Sequence, residues 1–315
     1  MNEMIDNQNN IPPFIKGETD KVSYCGYTCI GGRPEDQDCL EQDNVNGRQI
    51  FIVCDGMGGH AGGCIASATA AAALKESFRR QAVDVVPTKE AMMTAVTEAN
   101  TAVYRKSQEE PSLRGMGTTL TLLVIDSKAA YVTHIGDSRI YQLRKGRKVY
   151  RTFDQSMVFE QIVHHVSPCY EFFNCRLPNF LYSIIGKKKH KKTKSEREEE
   201  ARQHPRSNVL SKAIGILPDV EVVVTKLDYR AKDRFILCCD GVWNTQPEPE
   251  VIQMFTANAD LETTIRSTQS LVEKIGKENG GQHDNHTMIA VDMKCDSKYR
   301  KSIFTKLKSL FKRSV

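Results

Sequence analysis

Four aspartates stand where a strand ends or a turn begins: Asp55 in Cys-Asp-Gly-Met-Gly-Gly, Asp137 in Gly-Asp-Ser-Arg, Asp240 in Cys-Asp-Gly-Val-Trp and Asp284 in His-Asp-Asn-His. A fifth, Asp38, closes the run from Arg33 through Pro-Glu-Asp-Gln. A single Asp-Gly is an ordinary turn signal. Carboxylates gathered at strand ends are different, because together they make an all-oxygen, negatively charged pocket. Hard divalent cations such as Mg²⁺ or Mn²⁺ suit that pocket. Two such ions ~3.5–4 Å apart can share one carboxylate and turn the water between them into hydroxide at neutral pH.

The flanking residues say how these carboxylates are carried. Gln49 to Cys54 is a short apolar run that delivers Asp55 at its end and breaks at once into Gly-Met-Gly-Gly, which reads as a buried strand entering a tight turn. The stretch from about 21 to 56 is strand-like as a whole. Cys64 to Arg80 is Ala-rich and reads as helix. A second helix is predicted over Thr88 to Ser107, with Thr88 as N-cap and Glu90 in the first turn. Thr118 to Asp126, Ala129 to Ile135 and Arg139 to Leu143 form a β-rich meander, and Arg234 to Cys239 and Thr287 to Met293 are further strands. Hairpin-linked neighbours predict antiparallel sheets that bury one face on another sheet, with helices outside. No internal repeat is present. Residues 1–20, with Asn, Gln and a Pro12-Pro13 pair, read as a flexible leader.

The ordered set Arg33…Asp38, Asp55-Gly-Met-Gly-Gly-His-Ala-Gly62, Gly117-Thr-Thr119, Gly136-Asp-Ser-Arg139, Asp240-Gly241 and Asp284-Asn285 resembles the type-2C metal-dependent protein serine/threonine phosphatases. The bacterial branch fits best, since it carries Asp-Gly-Met-Gly-Gly-His where eukaryotic members tend to have Asp-Gly-His-Gly-Gly. The match spans residues 22–293. The resemblance implies an α+β four-layer sandwich, two packed antiparallel sheets flanked by helices. It implies a phosphatase acting on phosphoserine and phosphothreonine in proteins, opposing a serine/threonine kinase, with two Mn²⁺ or Mg²⁺ ions and a labile third. In that scheme Asp55 bridges both metals, the Gly56 carbonyl ligates one, and Asp240 and Asp284 complete the other. Asp38 holds metal-bound water, and Arg33 grips the substrate phosphate through its planar fork. Asp137 joins Asp240 at the third ion, Thr118 supports the site, and Gln37 stands where relatives often have Glu. His60 is a candidate proton donor or simply lines the turn, while Ser138 and Arg139 read as structural. Where relatives often show Asp-His-Ser this chain has Asp154-Gln155-Ser156, and residues 166–194 look like an insertion in the flap that follows.

A hydrophobic fraction of 40% and a charged fraction of 26% place the chain among globular proteins. No run of eighteen apolar residues predicts a spanning helix, and no signal-peptide pattern opens the chain, so the expected location is cytoplasmic. The ten cysteines have spacings of neither disulfides nor zinc, and read as small buried hydrophobes in a reducing compartment. The net charge of +5 is local: residues 294–315 carry +7, which leaves −2 on the remainder and argues against nucleic-acid binding. In that tail Ile303, Phe304, Leu307, Leu310 and Phe311 fall on one helical face. A basic amphipathic helix of this kind can lie on an anionic membrane, here through residues 296–315 at the inner face, dock in a partner or pack on the core. The competing functions are a catalytically silent phosphoprotein-binding module and, from another class, a two-metal nuclease or sugar phosphatase.

Overall fold

A computed structural model describes residues 14–58, 62–81, 86–164 and 193–297. Strands β1 (Phe14–Glu18), β2 (Val22–Cys29), β3 (Asp38–Val45) and β4 (Arg48–Met57) are followed by helices α1 (Gly62–Arg80) and α2 (Thr88–Glu109). Then come β5 (Gly117–Thr118), β6 (Leu120–Ile125), β7 (Ala130–Ile135), β8 (Arg139–Arg144) and β9 (Arg147–Arg151). After residues 154–212 the chain adds β10 (Thr225–Leu227), β11 (Arg234–Cys238), α5 (Asp240–Trp243), α6 (Glu248–Thr256), α7 (Leu261–Glu278) and β12 (His286–Met293).

The strands form two antiparallel sheets. One has the order β1-β2-β12-β11-β8-β9, and the other β10-β7-β6-β4-β3 with β5 added beside β4. Period-two side-chain alternation explains the layers. In β4, Phe51 and Val53 point between the sheets and meet Leu237, Ile289 and Val291, while Ile50, Ile52 and Cys54 face α1 and α2. In β11 and β12, Phe235, Leu237, Ile289 and Val291 face inward, while Ile236, Cys238, Met288 and Ala290 meet α5, α6 and α7. The result is the expected four-layer sandwich. Residue 55 keeps the phase of 51 and 53, so Asp55 enters the space between the sheets just where the apolar filling stops.

Two local expectations give way. Phe14–Glu18, read as part of the leader, is a strand paired with β2; Phe14 lies 6.0 Å from the Tyr27 ring with Arg266 over it. Five half-polar residues carry little pattern of their own, and the pairing partner makes the strand. Thr88 is inside α2 rather than its N-cap, which is Pro87, and the Thr88 hydroxyl donates to Asp126 at 2.8 Å.

Residues 154–212 form a second compact unit. It holds α3 (Met157–His164) and α4 (Lys194–Arg202), the latter opened by a capping box between Thr193 and Glu196. The proposed insertion falls almost wholly outside the described residues, as do His60, residues 1–13 and the basic tail beyond 297. Among the described residues, no helix is long and apolar enough to cross a membrane.

Candidate active site

The site grows from the ends of β3 and β4. Asp38 and Asp55 are direct partners across that ladder. The main chain of Asp55 is clamped: its N–H donates to Thr119 Oγ1 at 3.0 Å, and its carbonyl accepts from Thr118 Oγ1 at 2.9 Å and Thr119 N at 2.8 Å. Thr119 also shares a 2.7 Å hydroxyl contact with Ser138, which ties this clamp to the turn that carries Asp137. That turn begins at Gly136, whose φ of 96° lies in the region open to glycine. Gly56 N donates to the Gln37 carbonyl at 3.1 Å, and a Cβ on Gly56 would collide with the carbonyls of Gly63 and Gln37. Asp240 opens α5 just after β11, beside Asp55.

Burial and mutual repulsion show in the titration of these groups. Burial pushes the Asp55 carboxyl far up, and the charges of Asp38, Asp240, Asp137 and Asp284 push it further. Burial raises Asp38 to about 8, against hydrogen bonds from Thr287 and Cys239 and with repulsion from Asp36 and Asp240. Asp240 rises to about 6 through burial and the Asp284 charge. At the mouth, Asp284 Oδ2 pairs with Arg33 Nη2 at 3.0 Å, both side chains being about half exposed (44% and 52%).

The donors fit divalent cations. Asp38 Oδ1 is buried without a hydrogen-bond partner, a lone pair set aimed into a space lined by carboxylates. Ligand atoms of Asp38, Asp55 and Cys239 lie within 4.8 Å of one another. Burial first, then the charges of Asp38, Asp55 and Asp240, raise the Cys239 thiol far above its ordinary value, and the thiol donates to Asp38 Oδ2, which leaves the aspartate oxygens as the anionic donors. That is the chemistry of Mg²⁺ or Mn²⁺ rather than zinc.

A profile described as protein phosphatase 2C matches residues 25–279. The chain belongs to this family.

Its relatives place it in the bacterial-type branch. It is 29% identical to the serine/threonine phosphatase Stp of Listeria welshimeri over 79% of this chain and 86% of that one. It is 30% identical to the protein phosphatase PhpP of Streptococcus pneumoniae over 80% and 91%. The catalytic domain of the serine/threonine protein phosphatase PstP, solved with two manganese ions, aligns with a TM-score of 0.65 and 24% identity, covering 87% of this chain and 99% of that one; this likeness speaks for the fold.

The structure therefore gathers Asp38, Asp55, Asp137 and Asp240 around one space, with Asp284 and Arg33 paired at its mouth. Thr118 and Gln37 support it through the main chain. Arg139 lies with its guanidinium 3.3 Å from the Trp243 ring centroid and donates to Tyr141, a structural placement. Two neighbours were not singled out in the sequence. Asn285 donates from Nδ2 to the carbonyls of Ile30 and Glu35 at 2.8 and 2.9 Å, and accepts from Gln37 N at 3.0 Å, so it fastens the loop that carries Arg33. Cys239 donates its thiol to Asp38 Oδ2 at 3.2 Å. Their adjacency to Asp284 and Asp240 was the available signal.

Proposed function

We propose that this protein phosphatase hydrolyses phosphoserine and phosphothreonine in proteins with two divalent cations held by its aspartates, Mn²⁺ or Mg²⁺. The observation that carries the reading is the convergence of partly buried carboxylates whose mutual repulsion bound cations would relieve. Asp55 would serve both ions, the Gly56 carbonyl one of them, and Asp240 with Asp284 the other; Asp137 and Asp240 would hold a labile third. When bound, the cations supply Lewis acidity toward the phosphoryl group and acidify the attacking water. Asp38 presents its unpartnered Oδ1 to the same space, where it can accept a proton from water. Arg33, fixed by its loop, reaches the mouth and takes the substrate phosphate in its fork. The Asp284 pair holds that guanidinium at the mouth, and Asp284 would be one of the residues holding a cation.

Phosphoproteins made by a cognate serine/threonine kinase are the proposed substrates, in the cytoplasm. The basic tail is proposed to draw the enzyme to an anionic membrane face. Hydrolysis of a phosphothreonine peptide, with Mn²⁺ and then with chelator, tests the reading. Asp55→Ala should lose more than nine-tenths of turnover, because Asp55 is the carboxylate shared by both ions. Peptide binding without turnover in wild type would instead support a silent phosphoprotein-binding module.

A further inference from the structure

On the outer face of the first sheet, away from the space between the sheets, a second cluster of ligating side chains converges. Cys29 ends β2 and His286 begins β12, and the two are direct partners across the ladder. Glu273 reaches them from α7. Its Oε1 lies 3.0 Å from His286 Nε2, 3.2 Å from Cys29 Sγ and 3.4 Å from His283 Nε2. The ligand atoms of Cys29, Glu273 and His286 are all within 4.8 Å of one another. Thus one carboxylate oxygen faces a thiol and two imidazoles at once, while Oε2 takes Lys277 Nζ at 3.2 Å.

We propose that Cys29, Glu273 and His286 bind a divalent cation of borderline softness, of which zinc is the natural choice, at a site distinct from the aspartate pocket, with His283 beside them 3.4 Å from Glu273. Thiolate, carboxylate and imidazole are zinc donors. Around a tetrahedral zinc, neighbouring ligand atoms lie roughly 3.3–3.8 Å apart, as follows from bond lengths of about 2.0–2.3 Å. Glu273 Oε1 stands slightly inside that distance from His286 and Cys29, so a small outward movement of its side chain admits the ion.

The surroundings are arranged as a metal site requires. His286 is fully buried, and its Nδ1 lies 3.1 Å from the hydroxyl of Tyr27, also fully buried. Without an ion Nε2–H donates to Glu273; with the proton moved to Nδ1 and given to the Tyr27 oxygen, Nε2 can turn its lone pair to a cation. Gly276, one turn beyond Glu273 on α7, makes the niche for the His283 ring, since a Cβ there would run into the imidazole. Cys29 and His283 are each partly exposed, which leaves an entry path.

Charge is consistent with this assignment. Burial works against the Glu273 carboxylate, yet hydrogen bonds from His286, Cys29 and Lys277 carry it down to about 2, so it is an anionic ligand. Burial raises the Cys29 thiol to about 11, with Glu273 adding to the rise. Cation binding would therefore expel one thiol proton to solvent, and the His286 imidazole would bind neutral. Asp284 and Asn285 sit between the two histidines, so the ion would fasten to α7 the segment that presents Asp284 to the aspartate pocket.

Cobalt is the discriminating probe, because an oxygen-only pocket gives no thiolate-to-cobalt charge transfer. Full-length protein freed of metal by chelator and titrated with Co²⁺ should develop that near-ultraviolet band at one equivalent, and Zn²⁺ should bleach it. Cys29→Ser should abolish the band, and Glu273→Gln should weaken Co²⁺ binding at least tenfold. Cys29→Ser keeps a donor to Glu273, so far-ultraviolet circular dichroism should be unchanged. Asp55→Asn and Cys239→Ser should retain the band. A wild-type protein without it, or a band that survives Cys29→Ser, would show a hydrogen-bonded network and no site. Loss of the band in Asp55→Asn or Cys239→Ser would place it at the aspartate pocket and equally overturn the proposal.

Discussion

Replacing Asp38 by Asn should stabilise the metal-free protein while slowing the enzyme. Asp38 is partly buried, and burial moves its carboxyl from an ordinary value of 3.8 to about 8 in the fold. For an acid whose folded value is raised, the native state holds a proton that the unfolded state releases. The penalty is absent below about pH 4, grows as pH rises, and is complete above about pH 8. At ~1.36 kcal/mol per pH unit, the ceiling at pH 7 is ~4 kcal/mol. Asn keeps an oxygen to accept the Cys239 thiol, but its amide lands where Oδ1 has no partner, which costs ~1–3 kcal/mol. The net gain is ~2 kcal/mol, or a rise in Tm of roughly 4–8 °C for a domain of this size. The assay is thermal unfolding in chelator at about pH 5 and about pH 8. Wild type should lose stability between the two, and Asp38→Asn should lose less. Saturating Mn²⁺ should reverse the order, because the cation binds the wild-type carboxylate better. A variant that melts below wild type at the higher pH in chelator, with the same pH dependence, would refute the claim that charge crowding dominates this pocket.

Further outcomes are expected elsewhere. Arg33→Lys keeps the charge and loses the planar fork, so KM for a phosphopeptide should rise several-fold with kcat little changed; an unchanged KM would place Arg33 outside phosphate binding. Asn285→Ala removes three hydrogen bonds that fasten the loop of Arg33, which should cost ~2–4 kcal/mol in chemical unfolding and also raise KM. Full-length protein should co-sediment with anionic vesicles at low salt and be released at high salt, whereas a 1–295 truncation should stay in the supernatant. Identical behaviour of the two forms would remove the tail from membrane binding.

Asp55, Asp137 and Asp240 could be read from the sequence because each follows a short apolar run and precedes a turn, so local pattern alone brings them to strand ends; Asp38 and Asp284 stood out only within the family's motifs. Hairpin-linked neighbours foretold the antiparallel sheets, and in the fold Phe51 and Val53 point opposite to Ile50 and Ile52. Local pattern was silent where contact depends on pairing. Phe14–Glu18 is a strand because β2 offers it an edge and Tyr27 a ring, and neither is visible in five half-polar residues. Thr88 looked like a cap because only the fold brings Asp126 to its hydroxyl. Cys239 read as one more apolar residue until β11 laid its thiol against Asp38. Cys29, Glu273 and His286 make the strongest case. Their spacing in the chain matches no metal motif, because 244 residues separate Cys29 from Glu273. Antiparallel pairing of β2 with β12, and the packing of α7 across them, bring the three within ligand distance. Short-range periodicity sets which face a residue takes; which residue it then meets is decided by strand order and helix placement, and these depend on contacts summed over the whole chain.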